Sequence, residues 1–298
     1  MTLLAATHAG LFALDGATSE ARPVVEGATV TALATGRGAG WALLDRQRVV
    51  RVDGFDLSVI GELPAREGQS VAPLGDGAVV IGRTGARLTV MSSTGDMRVL
   101  DAFEEVPGRD EWENPAGPTP DLRSIAVDEG GRMFVNAHVG GVWWSDDGGG
   151  TWTGAVEPDA DVHEVTVDGS RVAVAAAIGF GWSDDRGATW SWTTNGLHAS
   201  YARAVALDAG RAYVSSSTGP FTHEAAVYAA ELGSAFVRCA AGLPEWFTAN
   251  VDSGCLDARA GVVAIGTAEG VVYVSDDDGR TWSVAADGLP PVIGVRLL

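Results

Sequence analysis

Short alternating apolar runs recur along the whole chain, each closed by a turn rich in Gly, Asp and Ser. Gly270-Val-Val-Tyr-Val274 is one such run, and another short strand follows its turn. Alternation with period two, broken every few residues by turn chemistry, predicts β-hairpins. Three of the turns are nearly the same: Ser145-Asp-Asp-Gly-Gly-Gly-Thr-Trp152, Ser183-Asp-Asp-Arg-Gly-Ala-Thr-Trp190 and Ser275-Asp-Asp-Asp-Gly-Arg-Thr-Trp282. All three satisfy Ser-x-Asp-x-Gly-x-Thr-Trp. Ser and Asp can bond turn amides, Gly supplies a positive φ, and Trp can fill the gap between neighbouring sheets.

Four weaker turns extend the series: Gly16, Gly54, Gly95 and Gly233 join Gly149, Gly187 and Gly279. Successive spacings are 38, 41, 54, 38, 46 and 46 residues. The mean of about 43 residues per unit suits a four-stranded propeller blade. The expected fold is therefore all-β, a seven-bladed β-propeller of four-stranded antiparallel blades in one domain. Residues 1–27 supply only three strands. The tail Val292-Ile-Gly-Val-Arg-Leu-Leu298 supplies the missing innermost one, so the C-terminal strand closes the ring and removes free edges. The boundaries read as blade 1 from 291–298 plus 1–27, blade 2 28–67, blade 3 68–103, a loop 104–120, blade 4 121–159, blade 5 160–199, blade 6 200–245 and blade 7 246–290. The loop carries Pro107, Pro115, Pro118 and Pro120, which cannot continue a ladder, and long loops in compact domains are often functional. A smaller insertion spans Thr218 to Ala225.

The repeated turn resembles the Asp-box, or BNR repeat, of sialidases, sortilin-type receptors, xyloglucanases and photosystem II assembly factors. The resemblance implies that each box caps the hairpin between the third and fourth strands of a blade. It also implies that the boxes lie on the face opposite an active site, which makes their acidic residues structural. The sialidase signature is missing: the only Arg-Pro, Arg22-Pro23, lacks the flanking apolar residues of that family's motif.

Composition narrows the chemistry. The formal net charge is −19, with 39 carboxylates and 20 basic residues, all of them arginine. Nucleic acid and anionic membranes are excluded as partners, and with no lysine there is no P-loop or Schiff-base lysine. No apolar run is long enough to span a bilayer. Cys239 and Cys255 read as buried apolar residues and the N-terminus has no secretory pattern, so a cytoplasmic protein is expected. Standard catalytic motifs are absent. No glutamate closes the calcium-like Asp276-Asp-Asp278-Gly279, and neither a metal nor any other cofactor is expected.

Aligning the inner strands on the Asp that ends four of them pairs Arg123 with Asp128, His163 with Asp168, Arg203 with Asp208 and Asp252 with Asp257. The first residue of each pair belongs near the mouth of the central channel, with Val30 and Ser70 at the same level in blades 2 and 3. Glu164 and Ser124, next in sequence, belong on the opposite face of their strands. Arg123 and Arg203 then form a positive island in a repulsive field. Trp112, His138, Phe180, Tyr201, Phe221, His223, Trp246 and Phe247 belong to the surrounding loops. Guanidiniums beside aromatics suit an anionic small molecule, a glycan or a peptide, and the expected binding residues are Arg123, His163, Arg203, Asp252, His138, Trp112, Tyr201 and Trp246. A hydrolase using Glu164, Asp252 or Asp121 with His163 is the alternative. A protein-assembly scaffold, with a partner engaged through the 104–120 loop, is the second.

Overall fold

The computed structural model describes residues 1–15, 20–36, 38–115 and 117–298; Gly16 lies outside them. Seven four-stranded antiparallel sheets form a closed ring, and the only helical elements among the described residues are short 3-10 turns. In each sheet the strands follow chain order from the channel outwards. The exception is blade 1, where Val292–Leu297 is innermost and pairs antiparallel with Thr2–Thr7. That pairing closes the ring as the sequence predicts. Middle strands such as Ala39–Leu44 are buried at every position because both faces of the sheet meet a neighbouring blade. Outer strands are exposed, and most are short: Ser191–Thr193 and Val237–Arg238 have three and two residues.

The three repeated turns have one hydrogen-bond design. In blade 4, Asp147 Oδ1 accepts from Ser145 Oγ and from the amides of Gly150 and Thr151, while Oδ2 accepts from Thr151 Oγ1. The Gly149 amide donates to Ser145 Oγ, and the Trp152 indole donates to the Gly149 carbonyl. The Ser–Asp, Asp–Thr, Gly–Ser and Trp–Gly bonds recur around Asp185 and Asp277. Gly149, Gly187 and Gly279 all have φ between 79° and 93°. Threonine amide and hydroxyl hold all three carboxyls down to about 2. Among the other turn glycines, Gly54, Gly95 and Gly233 also have positive φ.

Antiparallel order puts the inner-strand starts and the second-to-third connections at one end of the ring, with the repeated turns at the other. Arg186, in the blade 5 turn, reaches the end of the blade 4 inner strand, where its Nε donates to Asp128 Oδ2 at 2.7 Å.

A β-bulge interrupts the inner strands at one common level. The register slips between Val30 and Ala32, Gly68 and Ser70, Leu122 and Ser124, Val162 and Glu164, and Ala202 and Val205. In blade 1 it slips opposite Gly294 and Val292. The extra residues are Thr31, Gln69, Arg123, His163 and Ile293, with Arg203 at the same level in blade 6. The level in blades 2 and 3 is therefore Thr31 and Gln69 rather than Val30 and Ser70. Blade 7 departs further. Its inner strand, Leu256–Arg259, runs two residues past Asp257 before turning at Ala260 and Gly261, whereas Asp168 directly opens the blade 5 hairpin. Asp252 therefore sits two residues before the bulge level, and Gly254 is the counterpart of His163.

The loop after blade 3 packs down onto blades 3 and 4 as far as Trp112. Two 3-10 turns, Asp101–Glu105 and Arg109–Glu111, place Phe103 and Trp112 in the core. The Arg109 guanidinium lies 5.5 and 5.1 Å from their ring centres and donates to the carbonyls of Gly85 and Ala86.

Candidate functional site

The bulge decides which way the site residues point. In a regular strand His163 and Glu164 would face opposite ways; in a bulge two successive residues share one side. Both turn toward blade 6. His163 Nδ1–H donates to the Ala202 carbonyl at 2.6 Å and its ring lies 4.8 Å from that of Tyr201, while Glu164 Oε2 accepts from the Val205 amide at 3.1 Å. Ser124 behaves like Glu164, its Oγ accepting from the Val165 amide of blade 5 at 3.0 Å. The expectation of opposite faces fails at both residues for this reason.

Glu164 also spans the channel. Its Oε1 accepts from the Gly254 amide of blade 7 at 3.0 Å and lies 3.8 Å from Arg296 Nη2 of the closing strand. The Gly254 carbonyl accepts from Arg296 Nη1 and from the Val295 amide, and Ser253 Oγ donates to the Arg203 carbonyl while lying 3.1 Å from that of His163. One segment thus ties blades 5, 6, 7 and 1 together across the axis. A cavity of about 540 Å³ lies along the inner strands; Arg123 and Glu164 line it, and His163, Arg203 and Asp252 do not.

Burial pushes the Glu164 carboxyl up to about 7, against the pull of Arg296 and the two amides. With the native value above the unfolded one, the native state holds a proton that the unfolded state has lost between about pH 4.5 and 7. This contribution to stability is complete below about pH 4.5 and falls as pH rises through that window, by roughly 3 kcal/mol in all. Urea titrations of the parent and Glu164→Gln at pH 5 and pH 8 should therefore converge or cross as pH rises, with the variant gaining on the parent. Parallel stability curves would show that Glu164 does not titrate there.

Above this crosspiece lies a polar cluster from blades 4 to 7. Asp161, held in a left-handed backbone conformation at φ 46°, stands between two histidines: its Oδ2 is 3.5 Å from His163 Nε2 and its Oδ1 3.9 Å from His138 Nε2. His138 Nδ1 lies 3.1 Å from Asn114 Oδ1 and 3.3 Å from Asp121 Oδ1. The hydrogen bond from His163, with the Arg123 guanidinium nearby, holds the Asp161 carboxyl below its ordinary range against burial. Arg203 is bound to Asp252, and its Nη1 lies 3.4 Å from the Tyr201 hydroxyl. Arg123 is different. Its guanidinium makes no hydrogen bond or ion pair among the described residues, and burial followed by the repulsion of Arg203 lowers its pKa, with Asp121 and Asp161 acting the other way.

Asp121, Arg123, His138, His163, Tyr201, Arg203 and Asp252 are thus linked in one neighbourhood, to which Asp161 and Asn114 must be added. Two expected members are engaged elsewhere. Trp112, 6% exposed, packs against Phe103 and Trp143 in the core. Trp246 faces Arg238 and His198 on the flank of blade 6, where His198 is bonded to the Tyr228 hydroxyl. Phe180 and Phe247 are buried. Phe221 is 97% exposed, on a loop pinned by Asn250 Nδ2 to the carbonyls of Gly219 and Pro220 and by His223 to that of Thr248. Arg123 and Arg203 lie close enough to repel each other, but Asp252 takes up Arg203, which leaves Arg123 as the open guanidinium. Among the described residues, no three His, Cys, Asp or Glu side chains are arranged to hold a metal ion, and no helix is long and apolar enough to cross a membrane.

No family model and no curated protein matches the chain in sequence. Solved structures match the fold. A computationally designed protein, Ika8, is similar over 97% of this chain and 85% of its own, with TM-score 0.61 and 14% identity. A nidogen/laminin complex contains a chain that is similar over 78% of this one and 90% of its own, at TM-score 0.55 and 15% identity. An ancestral GH74 enzyme is similar over 85% of this chain but only 38% of its own, at TM-score 0.62 and 14% identity. At these identities the likeness shows the β-propeller fold alone, so function rests on the cluster itself.

Proposed function

We propose that this propeller is a binding protein whose ligand presents an anionic group to Arg123 at the inner-strand starts. The observation that carries the reading is the uncommitted guanidinium, sunk beside Asp121 and Asp161 without bonding to either, while nearby Arg203 is consumed by Asp252. A planar fork of donors left open in a partly desolvated site is suited to a carboxylate or phosphate. Small metabolites, acidic glycans and peptides all carry such groups. Glu164, whose raised pKa would best suit acid catalysis, has both oxygens bonded to backbone amides, so the geometry supports binding better than hydrolysis.

Titration calorimetry with a panel of carboxylates and phosphates tests the proposal. Arg123→Ala should weaken any hit by about 1.5–3 kcal/mol, the worth of a charged hydrogen bond, and the parent's affinity should fall with added salt. Arg203→Ala should act indirectly, by leaving Asp252 unpaired. Equal affinities in the parent and Arg123→Ala for every hit would show that Arg123 only lines the channel.

A further inference from the structure

The charges around Arg123 restrict its ligand further. Two guanidiniums, Arg123 and Arg203, share the cluster with three carboxylates, Asp121, Asp161 and Asp252. One carboxylate is spent on Arg203, and two remain beside Arg123. A bare anion approaching Arg123 therefore meets two negative groups inside the site and a protein of net charge −19 outside it. The carboxylates are not equally occupied. Asp161 engages His163 through Oδ2, and Asp121 Oδ1 faces His138. Asp121 Oδ2 makes no hydrogen bond or ion pair among the described residues, and the side chain is 23% exposed. The open fork of Arg123 and the open oxygen of Asp121 are two residues apart at the start of one inner strand, on either side of Leu122, which points into the core.

We infer that the site takes a zwitterion, a small molecule carrying a primary ammonium a few bonds from a carboxylate or phosphate, with the anionic group on Arg123 and the ammonium on Asp121. The inference rests on the anion-binding reading and adds a positive partner to it. Such a ligand brings no net charge into the repulsive field, and each of its charges meets an opposite one. Free α-amino acids and phosphorylated amino alcohols share this chemistry.

Calorimetry on matched pairs separates the possibilities: alanine against propionate, and phosphoethanolamine against inorganic phosphate, on the parent, Arg123→Ala and Asp121→Asn. In the parent, at least one zwitterion should bind about tenfold or more tighter than its amine-free partner, the factor that one charge-assisted hydrogen bond brings. Tighter alanine identifies the amino-acid class, and tighter phosphoethanolamine the phosphorylated amines. Asp121→Asn should erase the preference, weakening the zwitterion and tightening the amine-free acid by removing a repelling charge. Arg123→Ala should abolish both. If propionate or phosphate binds the parent as tightly as its partner and still depends on Arg123, the zwitterion inference fails while the anion reading stands. If no compound binds, or Arg123→Ala changes nothing, both fail.

Discussion

Removal of residues 292–298 is expected to leave a chain without a cooperative melt near the parent temperature and prone to aggregate. The strand Val292–Leu297 is the inner strand of blade 1, and it also packs against the inner strands of blades 7 and 2. It buries Val292, Val295 and Leu297 almost completely. At about 1.5–3 kcal/mol for each fully buried aliphatic side chain, those three account for roughly 5–9 kcal/mol. That approaches the whole stability of an ordinary domain, about 5–15 kcal/mol. The loss does not stop at burial. Asp257 Oδ2 would lose the Leu297 amide and Glu164 its Arg296 counter-charge, leaving a half-buried and a buried carboxyl with fewer partners. The strand Thr2–Thr7, all buried except at its first residue, would become an apolar edge open to pairing with other chains. Calorimetry and light scattering on the shortened chain, beside the parent, check this. A two-state melt at the parent temperature would mean that the ring holds without its closing strand.

The repeated turns and the closure were readable because their chemistry is local. Ser145, Asp147, Gly149, Thr151 and Trp152 bond among themselves within eight residues, so pattern and structure are nearly the same information. The bulge was not readable. Val162-His-Glu-Val165 alternates acceptably in either register, and only the neighbouring strand, which pairs Val162 with Ala176 and Glu164 with Ala175, makes His163 the extra residue. Every error about side-chain direction follows from that. Asp257 misled the alignment of blade 7 because it looks like the strand-ending aspartates but lies two residues short of its turn. A signal for Asp161 did exist. Stepping back two residues from the bulge gives Asp121, Asp161 and Tyr201, and Asp252 stands at the same place in blade 7. All four belong to the cluster. Trp112 in its proline-rich loop has no local mark of burial, because what buries it comes from Phe103 and Trp143, outside that run.

Substitution of Trp282 should separate the structural face of the ring from the binding face. Its indole is 7% exposed, packed in the blade 6–7 core with Tyr213 and Cys239, and its Nε1–H donates to the Gly279 carbonyl at 3.0 Å. Trp152 and Trp190 hold the same position in blades 4 and 5 but are only partly buried. Trp282→Ala should therefore cost about 3–5 kcal/mol, the range for emptying a buried aromatic site. Trp190→Ala should cost less, because less of its ring is removed from water. Asp277→Asn should be milder still, since Asn keeps one acceptor oxygen for the Thr281 amide but cannot also receive the hydroxyl as a carboxylate does. None of the three should alter binding at Arg123, because the turns lie at the opposite end of the inner strands. Denaturant midpoints for the three variants and calorimetry with whichever compound binds the parent test both halves. A folded Asp277→Asn protein of near-parental stability that no longer binds would move the functional site to the repeated turns.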